Sequence, residues 1–197
     1  MTNVLAIDQG TSGTKAIVAD DAGQVLAIAE QPLHPVYFEG GGVEQDPGAL
    51  LDSVLTTGRR AAAEAGVPLD AVALANQGET VLAWDRDTGA PLSPAIVWQD
   101  RRSGGVCARL ADRSAELTAI TGLPLDPYFA APKMTWLREN LTADGTVTTT
   151  DSWLLARLGA GYVTDAATAS RTLLLDLDRV AWSEAASSRW PRTVPIT

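Results

Sequence analysis

Cysteine and histidine are nearly absent from this sequence, which has one of each, Cys107 and His34. A single cysteine excludes an intrachain disulfide and leaves no thiolate cluster for a metal. One histidine excludes a His-rich metal centre. It also disfavours a Ser-His-Asp hydrolase unless His34 itself serves as the base. Cys107 falls inside a predicted helix, where we expect a small packed or surface residue rather than a nucleophile.

Positive charge is also scarce. The 197 residues contain 15 Lys and Arg against 24 Asp and Glu, which gives a net charge of −9. Such a field repels duplex DNA, RNA and anionic membranes, so neither nucleic acid nor membrane is an expected partner. The first residues form a strand-like run rather than a basic segment followed by a long apolar one. With no apolar run of membrane-spanning length, we expect a cytoplasmic protein.

A small polar loop near the start carries the first indication of function. Two short apolar runs, Val4–Ile7 and Ala16–Ala19, flank the segment DQGTSGTK of residues 8–15. Its glycines let main-chain N–H groups approach a ligand, and its hydroxyls and lysine suit a phosphate chain. Asp8, at the end of the first run, can hold Mg²⁺ directly or through water. The loop lacks the GxxxxGK[ST] spacing of a Walker loop, and an ordinary glycine turn in a hairpin is the alternative.

The order of predicted elements indicates an α/β fold. A third strand at residues 24–30 completes an antiparallel three-strand meander. A helix then begins at Asp46-Pro47 and ends at Gly66. A buried strand at 70–75 and a strand at 81–84 follow. Helices are predicted from an Asp100 cap to Ala111, over 114–122, over 132–141, and from an Asp151 cap to 158. This pattern is typical of ribonuclease-H-like or actin-like ATPase domains.

Several segments together resemble one family. The loop DQGTSGTK resembles the first phosphate-binding loop of the FGGY carbohydrate kinases, which have an actin-like fold. Further resemblance to the family, and to its glycerol kinase branch in particular, lies in residues 76–102, 122–137, 150–158 and 164–177. It runs from Val4 to about Trp182 in the family's order. The resemblance implies the N-terminal lobe of an ATP- and Mg²⁺-dependent polyol or sugar kinase.

The resemblance also implies roles for individual residues. Asp8 would position Mg²⁺, and the ATP phosphates would be faced by Gly10, Thr11, Ser12 and Lys15. The substrate pocket would be lined by Glu79, Trp98 and Tyr128, with Gly78 beside them. A carboxylate and a phenol can hold neighbouring hydroxyls, and an indole face can cover the carbon skeleton. Without the resemblance, Trp98 and Tyr128 would be interpreted as core or turn residues and Glu79 as a surface charge.

The sequence departs from the family at four places. Lys15 replaces a frequent arginine and loses its planar fork. Gly78 stands where glycerol kinases have an arginine, which opens the pocket. The AAPK of residues 130–133 is closer to xylulokinase-like members, and residues 189–197 fit the family poorly.

No Gly-Asp-Gln segment with the family's base aspartate is found in the sequence, so no catalytic residue is assigned within it. We therefore expect residues 1–197 to be an incomplete N-terminal lobe whose base lies beyond residue 197 and whose second lobe is absent. The apolar surface that this leaves would favour self-association or binding of the missing lobe.

The interpretation favoured by the sequence is transfer of the ATP γ-phosphoryl group to a hydroxyl of a polyol or sugar, with the activity of this chain alone left open. Three alternatives remain: a catalytically inactive polyol-binding or regulatory remnant, a xylulokinase-like sugar kinase, and another actin-like ATPase such as a chaperone or filament protein.

Overall fold

A computed structural model of the chain describes residues 2–190. Most of the final segment that fits the family poorly, residues 191–197, therefore lies outside the described residues. The chain divides into two compact units. The first comprises the residues up to Pro35 together with Gln45–Gln77, and the second comprises Val36–Glu44 together with the chain from Gly78 onward.

The strands of the described part are, in chain order, β1 Val4–Gln9, β2 Gly13–Ala19, β3 Val25–Pro32, β4 Val36–Phe38, β5 Gly42–Gln45, β6 Ala71–Asn76, β7 Val81–Trp84, β8 Ala95–Ile96, β9 Thr146–Thr149, β10 Leu175–Asp176 and β11 Ala181–Trp182. The α-helices are α1 Pro47–Ala65, α2 Gly104–Arg109, α3 Ser114–Thr121, α4 Ala130–Asn140, α5 Thr150–Arg157, α6 Ala166–Ser170 and α7 Glu184–Ser187. No helix among residues 2–190 combines the length and the apolar composition that crossing a membrane requires.

The first unit is a four-stranded sheet with helix α1 on one face. The strand order is β3-β2-β1-β6, with β1, β2 and β3 antiparallel and β6 parallel to β1. This confirms the predicted meander. Alternate residues of β1 and β2, such as Leu5 and Val18, are buried on the α1 side. Gly58 of α1 allows close packing, because a Cβ there would lie 3.2 Å from Ile7 Cδ1.

Helix α1 begins and ends where the sequence predicts. The Asp46 carboxylate accepts a hydrogen bond of 2.9 Å from the Gly48 N–H, which satisfies one of the unpaired donors of the first turn. At the other end Gly66 adopts the left-handed conformation with a φ of 63°. Its N–H donates to the Ala62 carbonyl. Both ends are thus fixed by local chemistry.

Strand β6 differs from the prediction of a buried strand. It lies at the edge of the sheet, and its residues are exposed or half-buried, with Val72 59% exposed. The apolar composition of residues 70–75 therefore does not mean that this strand is buried among residues 2–190. An edge strand has a neighbour on one side only, so its composition is a weak guide to its surroundings.

The second unit is built on a five-stranded sheet of order β4-β5-β8-β7-β9, which packs with helices around one core. Two predicted helix caps are wrong. Helix α2 starts at Gly104, after Ser103 at its N-cap, and α5 starts at Thr150, after Thr149. The buried Asp100 carboxylate instead accepts hydrogen bonds from the Val43 N–H and from Arg102. Asp151 lies inside the first turn of α5, where it accepts from Thr164 Oγ1 at 2.6 Å.

Helix α4 begins two residues earlier than predicted, and the turn before it is less exposed than the sequence indicates. Phe129 is only 5% exposed. Cys107 is buried as a packed residue, and this burial raises the pKa of its thiol to about 11. A thiol with such a pKa stays protonated near neutral pH, which agrees with its interpretation as a non-nucleophile.

Lys133 places a buried amine at the first turn of α4. Its side chain has no exposed surface, and its Nζ donates to the carbonyl oxygens of Pro127 at 3.0 Å and Phe129 at 2.7 Å, and also to that of Tyr128. Burial lowers the pKa of Lys133 to about 7, although the surrounding carboxylates, first among them Glu79, act to raise it. One amine thus holds three consecutive carbonyls of the turn.

The first prediction concerns the cap of α1. Replacing Asp46 with alanine removes the oxygen that accepts from Gly48, and we expect a loss of about 1 kcal/mol in the free energy of unfolding. For a chain of this size, that loss lowers the melting temperature by about 2–4 °C. Asp52→Ala is the matched control, since it removes the same side chain from the interior of the same helix. Equal melting temperatures for Asp46→Ala and wild type would contradict the cap.

The second prediction is a pH dependence of stability that belongs to Lys133. Its pKa falls from an ordinary 10.5 to about 7 in the folded chain. Between these two values the unfolded chain binds a proton that the folded chain has lost. The free energy of unfolding therefore rises with pH across this window, and the contribution is lost as the pH falls through 7.

We expect Lys133→Met to be less stable than wild type, because three carbonyls lose their donor. The deficit should widen between pH 7 and pH 9.5 in urea unfolding measurements. Lys15→Met is the control, because Lys15 is exposed and its pKa is raised by Glu30 rather than lowered. If wild type and Lys133→Met follow parallel pH curves, the depressed pKa is wrong.

Candidate functional site

The predicted phosphate loop connects β1 to β2 in the first unit. Its ends are brought together by a hydrogen bond of 2.9 Å from the Gly10 N–H to the Gly13 carbonyl. Neither glycine has a positive φ, so close approach rather than a left-handed backbone explains them. A Cβ on Gly13 would lie 2.8 Å from the Gln31 carbonyl oxygen, and one on Gly10 would lie 3.2 Å from the Gly13 carbonyl oxygen.

A network of side-chain amides supports this loop, and sequence reasoning missed it. Gln77 Nε2 donates to Gln45 Oε1 at 2.8 Å and to Gln9 Oε1 at 3.3 Å. Thr11 Oγ1 donates to Gln77 Oε1, and Gln45 Nε2 donates to the Thr11 carbonyl at 2.9 Å. The available signal was a glutamine at or just beyond the end of each of three strands. The network fixes the loop from two sides and ties it to the residue before Gly78.

Asp8 and Lys15 lie opposite each other in the antiparallel pair β1–β2. Both side chains are exposed, and Lys15 Nζ pairs with Glu30 Oε1 at 2.8 Å. The hydrogen bond and charge of Glu30 raise the pKa of Lys15, so its ammonium stays protonated. An open depression of about 290 Å³ adjoins Asp8, Lys15, Ala73 and Ala75. Its one carboxylate and one cation offer both signs of charge beside the loop.

Asp8 suits Mg²⁺ only in a binding mode in which water and substrate phosphates supply the other ligands. Among residues 2–190 no three His, Cys, Asp or Glu side chains are grouped so that they could hold a metal. Mg²⁺, however, typically keeps several waters and binds through one or two carboxylates together with substrate phosphates. An exposed carboxylate two residues before a glycine loop suits that mode. Metal binding by Asp8 therefore stays a prediction that depends on bound nucleotide.

The predicted substrate residues Glu79, Trp98 and Tyr128 lie together in the second unit. The rings of Trp98 and Tyr128 are 5.3 Å apart between centroids and inclined at 58°. The main-chain N–H of Trp98 donates to Thr80 Oγ1, and Thr80 is next to Glu79 in the chain. Glu79 is only 6% exposed, which corrects its interpretation as a surface charge. The structure thus groups a carboxylate, a phenol and an indole.

The backbone at Gly78 and Glu79 has an unusual conformation. Gly78 has a φ of 47° and Glu79 a φ of 45°. Two consecutive left-handed residues thus lie in the segment that connects β6 to β7, and only the first is a glycine. A left-handed non-glycine residue costs about 1–3 kcal/mol and persists only where the surrounding contacts hold it. The ion pair between Glu79 and Arg171 is such a contact.

Arg171, at the C-terminal end of α6, is the residue that sequence reasoning missed in this cluster. Its Nε donates to Glu79 Oε1 at 2.6 Å. Its guanidinium carbon lies 4.9 Å from the Phe129 ring centroid and 5.6 Å from that of Tyr128. The signal available in the sequence was an isolated cation in the hydroxyl-rich run TDAATASRT. A guanidinium thus joins the carboxylate to the aromatic turn.

Several contacts hold the Tyr128 turn in place. Asp126 Oδ1 accepts from the Tyr128 N–H at 2.8 Å and pairs with Arg101 at 2.9 Å. Lys133 holds the carbonyls of the same turn. The first N–H groups of α4 donate to the carbonyls of Arg171 and Thr172. The turn, the start of α4 and the end of α6 therefore form one connected backbone arrangement.

Comparison with known proteins shows which family this chain is similar to. Residues 3–189 match the model of the N-terminal domain of the FGGY family of carbohydrate kinases. The chain is 42% identical to a glycerol kinase of Methylibium petroleiphilum, and the match covers 93% of this chain and 40% of that protein. Its identity to the Thermus brockianus glycerol kinase is 45%, with the same two coverages.

Solved structures agree with the sequence comparison. The glycerol kinase of Plasmodium falciparum with ADP superposes with a TM-score of 0.89 at 28% identity, over 98% of this chain and 41% of that one. A xylulose kinase of Rhodospirillum rubrum gives a TM-score of 0.84 at 25% identity, over 98% of this chain and 42% of that one. The predicted actin-like α/β fold is thereby confirmed. The chain spans about 40% of the length of the curated relatives that it matches. It belongs to the FGGY family of carbohydrate kinases and corresponds to the N-terminal domain of that family.

Proposed function

We propose that this chain supplies the phosphate-binding loop and the polyol-binding residues of a kinase that transfers the ATP γ-phosphoryl group to a hydroxyl of a polyol or sugar. The observation that carries the proposal is the group of Glu79, Tyr128 and Trp98 in one unit of a chain whose other unit bears the glycine loop. Similarity to glycerol kinases favours a short polyol as the substrate. A cytoplasmic location is part of the same proposal.

The polyol would be held by complementary polar groups and one apolar face. The Glu79 carboxylate accepts hydrogen bonds from hydroxyls, and the Tyr128 hydroxyl can donate or accept. The Trp98 ring offers a flat face to the carbon skeleton. Such positioning supplies much of the acceleration in phosphoryl transfer, because the reacting oxygens must lie roughly in line.

The phosphates would be held by the loop. Main-chain N–H groups around Gly10, Thr11 and Ser12 can donate to phosphate oxygens, and Lys15 adds a positive charge if it exchanges Glu30 for phosphate. Mg²⁺, held by Asp8 directly or through water, would neutralise charge on the phosphates. The general base is assigned to no residue of this chain, and we expect an aspartate beyond residue 197 of a longer polypeptide to take the hydroxyl proton.

One alternative keeps the polyol site without the chemistry. The chain covers about 40% of its relatives, so a polyol-binding or regulatory protein without turnover is the second candidate. A coupled ADP-release assay with ATP, Mg²⁺ and a panel of glycerol, other polyols and D-xylulose separates the two when the C-terminal portion of a related glycerol kinase is added to the chain. Polyol-dependent turnover then supports the kinase, and its absence supports the second candidate. Turnover near 1 s⁻¹ or faster by the chain alone, within the usual enzyme range, would contradict the expectation that the base lies outside it.

A prediction for the loop uses a restored enzyme, in which this chain is joined to the C-terminal portion of the Thermus brockianus glycerol kinase. Gly10→Val places a branched side chain where the phosphates would approach, and its Cβ already crowds the Gly13 carbonyl. We expect affinity for ATP, measured by calorimetry, to fall about ten-fold or more while the fold survives. Gly105→Val is the control, because a Cβ there would meet no atom within 4 Å. Unchanged ATP affinity would show that the loop is an ordinary hairpin turn that takes no part in nucleotide binding.

A separate prediction tests the pocket in the same restored enzyme. Glu79→Ala removes a charged acceptor, and a hydrogen bond to a charged group is worth about 1.5–3 kcal/mol. We expect kcat/KM for the preferred polyol to fall by about ten-fold or more. Glu64→Ala, which removes an exposed glutamate from α1, should leave kcat/KM unchanged. Wild-type kinetics for Glu79→Ala would remove this residue from the site.

A further inference from the structure

The proposed function assigns no role to the guanidinium of Arg171, although it contacts the candidate substrate residues. It contacts Glu79 at 2.6 Å, and the two side chains differ greatly in accessibility, with 41% of the Arg171 side chain exposed against 8% for Glu79. The Arg171 cation is therefore accessible to a ligand, whereas the Glu79 carboxylate is largely covered. The guanidinium carbon of Arg171 lies close to the Tyr128 and Phe129 rings.

Each member of this group keeps hydrogen-bonding capacity in reserve. Arg171 uses Nε toward Glu79 Oε1, and among the described residues neither its terminal nitrogens nor Glu79 Oε2 has a side-chain or backbone partner. The same holds for the Tyr128 hydroxyl within residues 2–190, since Tyr128 bonds there through its backbone. The cluster therefore offers donors, an acceptor and a hydroxyl that a ligand can satisfy.

The space beside Glu79 is open on the Gly78 side. Gly78 has no side chain, and a Cβ built on it would meet no heavy atom within 4 Å. The guanidinium that contacts Glu79 therefore belongs to Arg171, which is 92 residues away in the sequence, and not to the residue before Glu79. Main-chain hydrogen bonds also fix the position of Arg171. The Arg171 carbonyl accepts from the Ala130 N–H at 3.3 Å, and the neighbouring Thr172 carbonyl accepts from the Ala131 N–H at 3.0 Å.

We propose that Arg171 binds the substrate together with Glu79, and that the pair selects uncharged ligands with two neighbouring hydroxyls. The carboxylate accepts from one hydroxyl, and a terminal guanidinium N–H donates to the oxygen of the next. The charges of Arg171 and Glu79 cancel at 2.6 Å, so the pair offers little net attraction to an anion such as a sugar acid. The inference rests on the proposed function and adds a residue and a ligand class to it.

The test is a titration of the purified 197-residue chain followed by two-dimensional NMR, with glycerol, D-xylulose and D-gluconate as probes. We expect saturable shifts with glycerol or D-xylulose and weaker binding of D-gluconate. Arg171→Gln should raise the dissociation constant of the neutral ligand about ten-fold or more, since a charged donor is lost. Arg171→Lys should give an intermediate value, because it keeps the charge without the planar fork.

Controls separate binding from folding. Arg179→Gln removes an arginine whose side chain is 83% exposed and forms an ion pair with Asp176 at 3.8 Å, away from the candidate site, so the affinities of this variant should match wild type. The dispersion of the amide spectrum reports whether each variant folds. If Arg171→Gln unfolds, Arg171→Lys decides by its affinity for the neutral ligand. A purely structural role would leave that dissociation constant at the wild-type value in a folded Arg171→Lys chain.

The outcomes also distinguish this inference from the proposed function. Wild-type affinity in a folded Arg171→Gln chain, with wild-type binding of glycerol or D-xylulose intact, overturns the role of Arg171 alone. Tighter binding of D-gluconate than of both neutral ligands overturns the ligand class. Absence of binding by wild type to any of the three probes counts against the polyol site itself, and the inference fails with it.

Discussion

The candidate substrate site depends on one buried amine. Lys133 has no contact with solvent, and its amine holds the carbonyls of three successive residues, 127 to 129. These carbonyls converge because the chain turns sharply before α4, and without a donor they would be unsatisfied acceptors next to the core. The same turn presents Tyr128 toward Trp98. The position of an aromatic ring in the candidate site is therefore set by an amine that does not line it.

This constraint explains how a strained segment is tolerated nearby. Glu79 adopts a left-handed conformation that a non-glycine residue avoids unless its contacts hold it there. The holding contact is Arg171, whose backbone accepts from the start of α4, the helix that carries Lys133. Turn, helix and ion pair therefore constrain one another. Loosening any one of them would move the carboxylate or the phenol from its place in the cluster.

The sequence predicted the parts of the fold that local chemistry decides. The meander followed from short β-branched runs, and α1 from Asp46 and Gly66, because strands and caps have signatures within a few residues. Asp100 and Asp151 resembled caps equally well, yet Asp100 is used by β5 and Arg102, and Asp151 by Thr164. An acidic residue before an apolar run cannot reveal whether its partner is the next turn or a distant strand. Arg171 was missed for the same reason, since it acts 92 residues from Glu79.

The resemblance to a family supplied an expectation that local patterns could not, namely that Glu79, Trp98 and Tyr128 line one pocket, and the structure groups these side chains in the second unit. It did not supply the groups that hold the site and the loop together. The glutamines at the strand ends show this most clearly. Gln9, Gln45 and Gln77 converge only because β1 and β6 run parallel and end at the same edge of the sheet, where the chain entering α1 also passes. Each glutamine alone is an unremarkable polar residue, and their common role follows from topology. Because Gln77 directly precedes Gly78 in the chain, the network beside the predicted phosphate loop also holds the residue that comes just before the two left-handed residues.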